Sequence, residues 1–198
     1  MDALILVHED EAAHLAQSPR AMAELLDGQR RFAQRCVDHG RLRPNGGREL
    51  AQFYWLQVDA FADAVELARE LPVLDSDEIE VRPVMSGVRA AIARRGPVFG
   101  FVVRGSALSE AGWTSVMDRI DTETRDELRS APLVSGVRLQ LGRRIERRAV
   151  MDGPFLEGKE VIGGLFFLRM PSLIDAQEWA ARSRYVVHGS LEVRQLWR

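Results

Sequence analysis

Residues Phe53 to Val84 can be laid on Leu165 to Leu196 without a gap, at a constant offset of 112. Eight of the 32 pairs are identical: Leu56/Leu168, Asp63/Asp175, Ala64/Ala176, Glu66/Glu178, Ala68/Ala180, Glu80/Glu192, Val81/Val193 and Arg82/Arg194. Average composition predicts about two. Other pairs keep their character, as Tyr54/Phe166, Trp55/Phe167, Phe61/Leu173 and Ile79/Leu191 do. Any two strand–helix–strand units share a hydrophobic pattern, but an ungapped register and a common Glu-Val-Arg ending go beyond it. The chain reads as a tandem duplication, with one copy at 1–85 and the other at 98–198. A linker is expected at 86–97, rich in Ala and Arg and closed by Gly96-Pro97.

Hydrophobic periodicity supplies the elements. Leu4 to Val7 is an apolar strand, and Met22, Leu25, Leu26, Phe32, Ala33, Cys36 and Val37 recur at helical steps between Arg20 and His39. Gly40 stands where a helix C-cap is expected. The polar stretch before Pro19 and the segment Gly40 to Arg48 read as loop. Phe53 to Val58 is a strand, Asp59 is placed to cap a helix over Ala60 to Glu70, and Glu78 to Arg82 alternates as a strand. The second copy runs in the same order: strand Val98 to Val103, helix Ser109 to Ala131, strand Val137 to Leu141, strand Leu165 to Met170, helix Ser172 to Arg182, strand Ser190 to Leu196.

Each copy is therefore expected to be β-α-β-β-α-β or a trimmed version, the ferredoxin-like arrangement of two helices on one face of an antiparallel sheet. The sheet strands are apolar at consecutive positions, so both sheet faces must be covered. The fold class expected is α+β: tandem ferredoxin-like repeats in which the copies cover each other, an intramolecular dimeric α+β barrel or pseudo-dimer. Leu6-Val7 against Val102-Val103 gives an offset of 96, so the second copy is longer by 16 residues, placed between Arg143 and Gly164. The first copy reads as having lost a hairpin.

Composition excludes several functions. The chain has 198 residues, 27 Lys+Arg against 29 Asp+Glu, and a net charge of -2. A balanced charge argues against a dedicated nucleic-acid binder, which needs a surplus of basic side chains. The single thiol, Cys36, permits no internal disulfide or zinc cluster, which makes a reducing cytoplasm the expectation. Cys36 itself reads as buried packing. The opening apolar run stops at His8-Glu9-Asp10, too short for a signal or a membrane span. No motif points to a cofactor or a metal.

The stretch Met151-Asp152-Gly153-Pro154-Phe155-Leu156-Glu157-Gly158-Lys159-Glu160, followed by Gly163-Gly164 and an apolar strand, resembles the DGPF signature of the YCII-related family. The ending Gly189-Ser190-Leu191-Glu192-Val193-Arg194 resembles that family's last strand. The likeness runs over Asp152 to Arg194, is weaker over Val98 to Val150, and leaves the first copy without the motif. Leu156 and Gly158 replace the usual Ala and Thr. The resemblance implies a dimeric α+β barrel and, by association with extracytoplasmic-function sigma factors, a regulatory role.

Asp-Gly-Pro is turn chemistry. One reading is that the turn only shapes a loop, with Phe155 as its anchor. The other is that it presents Asp152 to a pocket rimmed by Phe155, Glu157 and Lys159, for a small ligand or a protein partner. An enzyme of lyase or isomerase type is the alternative, with Asp152 and His188 as acid and base. The resemblance also implies a His–Asp pair, the His on the first helix and the Asp just before the last strand. Spacing places these at Gln29 and Leu71 in the first copy, while Ser183 takes the Asp position in the second, so neither copy is expected to carry the pair. His8, His14 and His39 read as surface or capping residues, and Arg143 to Arg148 as an exposed hairpin with charged edges.

Overall fold

The computed structural model describes residues 1–41, 53–89, 97–106, 110–140, 142–146, 149–152, 160–187 and 189–195. In chain order the elements are β1 (Asp2–His8), α1 (Glu11–Leu15), α2 (Pro19–Asp38), β2 (Phe53–Gln57), α3 (Phe61–Arg69), β3 (Glu78–Arg89) and β4 (Val98–Ser106). They continue as α4 (Glu110–Ser130), β5 (Leu133–Leu139), β6 (Arg143–Glu146), β7 (Ala149–Asp152), β8 (Glu160–Arg169), α5 (Leu173–Arg182) and β9 (Ser190–Gln195), with a 3-10 turn at Arg184–Val187. The chain divides into two units, residues 1–83 with 141–155, and residues 84–140 with 156–198.

In unit 1 the strands run β2-β1-β3-β6-β7, every neighbour antiparallel. Ala3, Ile5 and Val7 of β1, Tyr54 and Leu56 of β2, and Ile79 and Val81 of β3 form one core with Phe32, Ala33 and Cys36 of α2 and Ala64, Val65 and Ala68 of α3. Phe32 meets Tyr54 edge-on at 5.2 Å. Alternation sends Leu4, Leu6, Phe53 and Trp55 to the other sheet face, where they are also buried. Ser18 and Pro19 start α2 as cap and first residue, Ser18 Oγ accepting the Ala21 N–H at 3.2 Å. Gly40, at φ 67°, ends it: its N–H bonds Val37 O and the Arg41 N–H bonds Cys36 O, a Schellman closure.

Unit 2 has the order β5-β8-β4-β9, again antiparallel, with α4 between β4 and β5 and α5 between β8 and β9. That is the ferredoxin-like arrangement within an α+β fold. The last residues of β3 pair β5 on its free edge. Trp179 of α5 packs edge-on against Phe101 at 5.2 Å and Phe166 at 5.7 Å, and those two rings stack at 5.0 Å. Such contacts seat the helix on the sheet.

The cross-strand pairs of the two units coincide at the sequence offsets. Ile5 faces Tyr54 and Val81, as Phe101 faces Phe166 and Val193; Leu6 faces Glu80, as Val102 faces Glu192. Unit 1 has no strand described between α2 and β2, the place β5 takes in unit 2.

Four local expectations need correction. The stretch before Pro19 holds a short helix, α1, capped by Asp10, whose carboxylate accepts the Ala13 N–H at 3.1 Å. The helix after β2 is capped from Ala60, with Asp63 accepting the Ala60 N–H, so Asp59 is not the cap. Strand β3 runs on through residues 86–89, where the linker was expected to open. Finally, the hairpin expected at Arg143 to Arg148 as part of the second copy is replaced by two paired strands, β6 and β7, of which β6 pairs β3 and both belong to unit 1. Gly142 explains how closely β6 docks: a Cβ there would sit 2.0 Å from Val81 O.

Candidate functional site

The described part of unit 2 holds a cavity of about 80 Å³ between α4 and the sheet. Cross-strand register explains its position. Gly136 is opposite Phe166 and Arg138 is opposite Gly164, while Val103 of β4 is opposite Gly164 on the other side. These positions therefore share the face that carries Phe101 and Phe166 toward α5. Met117, Ile120 and Leu128 of α4 roof this part of the face, and Gly164 lets the strands approach closely, since a Cβ there would sit 2.6 Å from Val137 O. Tyr185 closes one wall, its ring 5.1 Å from that of Phe166.

Arg138 supplies the one charged side chain of the described lining. It is 20% exposed, and its Nη2 donates to Asp118 Oδ1 at 2.9 Å, the Asp118 side chain being 65% exposed. The charged end of the cavity thus lies at the surface and the apolar end inside.

Unit 1 holds a different kind of site. Asp77, 5% exposed, sits one residue before β3. Its carboxylate accepts the Asp10 N–H at 3.1 Å and the Leu74 N–H at 2.9 Å, and meets His14 Nε2 at 2.9 and 3.0 Å. His14 lies on α1, the first helix after the first strand. Unit 1 therefore does carry a His–Asp pair, contrary to the expectation from spacing. That expectation counted helix positions back from Gly40 and landed on Gln29, which is buried with its Nε2 donating to Pro72 O at 3.2 Å. Leu71 is core. The missed signal was the Asp next to Glu78, the first residue of an expected strand.

A second charged group lies on the face of the unit 1 sheet away from α2 and α3. Arg82 Nη1 donates to Glu80 Oε1 at 2.7 Å, both side chains at or below 1% exposure, and His8 Nε2 meets Glu80 Oε2 at 3.2 Å. Burial pushes the Glu80 carboxyl up, but the hydrogen bond with His8 and the charge of Arg82 outweigh it and hold Glu80 below the usual range. In unit 2 a similar group forms on β4 and β9: Glu192 Oε2 accepts from Arg104 Nη2 at 3.1 Å and its Oε1 from Arg194 Nε at 2.5 Å. Cys36 is buried, and burial raises its thiol above the usual value. Burial also pushes the Tyr54 hydroxyl up to about 12. Neither group is set up as a nucleophile or base near pH 7.

Of the residues singled out in the sequence, Asp152 is the last of β7, its backbone opposite Arg143. Phe155, Glu157, Lys159 and His188 lie outside the described residues. Among the described residues no cluster of His, Cys, Asp and Glu has the composition to hold a metal ion. No described helix is long and apolar enough to cross a membrane.

The model of the YCII-related domain matches residues 114–198, from within α4 to the end of the chain. No protein of curated function matches the chain. Three solved structures align over all of it. An anthrone oxidase-like protein is 12% identical with a TM-score of 0.47, covered to 91% of its length. A major regulator of staphylococcal pathogenesis is 8% identical at 0.42, covered to 99%. A novel heme-binding protein from Thermus thermophilus is 10% identical at 0.42, covered to 91%. At such scores the likeness says nothing of what this chain binds.

Proposed function

We propose that this chain binds a small molecule in the cavity of unit 2. The observation that carries the reading is an apolar gap built into the sheet–helix layer with a single arginine at its mouth, the usual composition of a ligand site. The match to the YCII-related domain spans all of that lining except Val103. A thermal-shift screen of small anions and metabolites tests it, run on wild type and on Ile120→Phe, which enlarges a side chain of the roof. Ligands that raise Tm in wild type and not in Ile120→Phe are expected. Equal shifts in both proteins, or none in wild type, would overturn it.

A second reading is acid–base chemistry of lyase or isomerase type, favoured by the 2.9 Å contact of His14 with the buried Asp77. A carboxylate on one ring nitrogen orients an imidazole so that the other can exchange a proton with substrate. The Asp77 carboxylate also accepts two backbone N–H groups, which equally makes it a structural clamp. Binding therefore takes precedence. The turn after Asp152, with Phe155, Glu157 and Lys159, belongs to the proposal as a second seat for ligand, Asp152 and His188 being the acid–base pair of the lyase or isomerase alternative, and Asp152→Ala in the same screen tests it.

The tandem, pseudo-dimeric organisation in a cytoplasmic protein is also part of this reading. Its support is the ungapped repeat, the coincident strand registers, and strands buried on both faces. A regulatory, sigma-factor-linked role rests on the DGPF resemblance alone.

A further inference from the structure

We propose that the ligand of the unit 2 cavity is a small monocarboxylic acid with an apolar body of four or five carbons, its carboxylate taken by Arg138 in place of Asp118. The inference rests on the cavity reading above and adds the ligand's chemistry. Size comes first: about 80 Å³ is roughly half of the ~150 Å³ that admits a benzene ring, so the buried part of the ligand is a short or branched chain. Charge comes next. Arg138 shares the cavity lining with the apolar Ile120, Met117, Leu133 and Phe166. Its planar fork matches a carboxylate and disfavours cations. Its present carboxylate partner, Asp118, is 65% exposed, and an exposed pair of this kind contributes little. A ligand carboxylate would replace one anion by another at the same guanidinium, leaving the charge of Arg138 balanced throughout. The chain of the acid would meanwhile lie against the apolar lining of Val103, Met117, Ile120 and Phe166.

The test is calorimetric titration with isovalerate and with isovaleramide, its neutral analogue of nearly equal shape. Wild type is expected to bind the acid at least tenfold more tightly than the amide, the difference a charge-assisted hydrogen bond supplies. Arg138→Gln is expected to abolish that preference, acid and amide then binding alike. Asp118→Asn keeps Arg138 and the cavity walls and removes the competing carboxylate, so acid binding is expected to tighten about two- to threefold. Equal binding of acid and amide in wild type, or weaker acid binding in Asp118→Asn, would overturn the carboxylate assignment while leaving the cavity as a ligand site. Absence of binding by either compound, or binding that survives in Ile120→Phe, would overturn the cavity reading as well.

Discussion

Glu80 and Arg82 of unit 1 and Glu192 and Arg194 of unit 2 lie 112 residues apart in sequence and pair β1 and β4 in the same register, yet the two pairs live in different surroundings. The first pair is at or below 1% exposure; in the second, the Glu192 side chain is 36% and the Arg194 side chain 42% exposed. At the third position His8 in one unit answers to Arg104 in the other, and each contacts its glutamate. A charged pair removed from water depends on its partner, because neither ion has solvent to fall back on. The same pair at the surface is screened and rehydrates when broken. Identical sequence thus produces a clamp in unit 1 and a nearly neutral surface pair in unit 2.

Stability measurements can break that contrast. Glu80→Gln removes the carboxylate that pairs with Arg82 in the interior and is expected to cost about 3–5 kcal/mol in urea unfolding. A loss under 1 kcal/mol would show that the pair is not isolated from water. Asp77→Ala removes the acceptor for two backbone N–H groups and the His14 ring, and about 2–3 kcal/mol is expected. Asp77→Asn, which retains an acceptor oxygen, is expected to recover part of it. Glu192→Gln is expected to cost no more than about 1 kcal/mol. A loss equal to that of Glu80→Gln would erase the distinction between the units.

Acidification sharpens the comparison further. Both carboxyls are held below the ordinary glutamate range, Glu192 because hydrogen bonds and charge from Arg194 and then Arg104 outweigh the upward push of burial. A depressed carboxyl stabilises the fold fully above its unfolded value, about 4.3, and that contribution is lost as pH falls through the lower folded value. The urea midpoint of wild type is expected to fall below about pH 4.5. Glu80→Gln is expected to flatten this slope more than Glu192→Gln does. An unchanged slope in Glu80→Gln would place the acid sensitivity elsewhere.

Much of the fold was legible because periodicity and repetition act over many residues. The consecutive apolar positions of Phe53 to Leu56 and of Leu165 to Leu168 foretold burial on both sheet faces. Gly40 closed α2 as its conformational freedom suggests. The partner of β6 was not legible: the charged run Arg143 to Arg148 suggests an exposed hairpin, not which strand receives it. Nor was the His14–Asp77 contact, since it joins residues 63 positions apart through a helix of five residues, too short to show a period. The cavity was hidden for a related reason. Gly136, Gly164 and Arg138 are unremarked strand residues until register puts them side by side.

The central claim, that unit 2 carries the ligand site and unit 1 a fixed polar clamp, is tested most directly by a methyl NMR titration with isovalerate. The account predicts saturable shifts at Met117, Ile120, Leu133 and Val103, and none at the imidazole of His14. Saturable shifts at His14, with the cavity methyls unmoved, would contradict it.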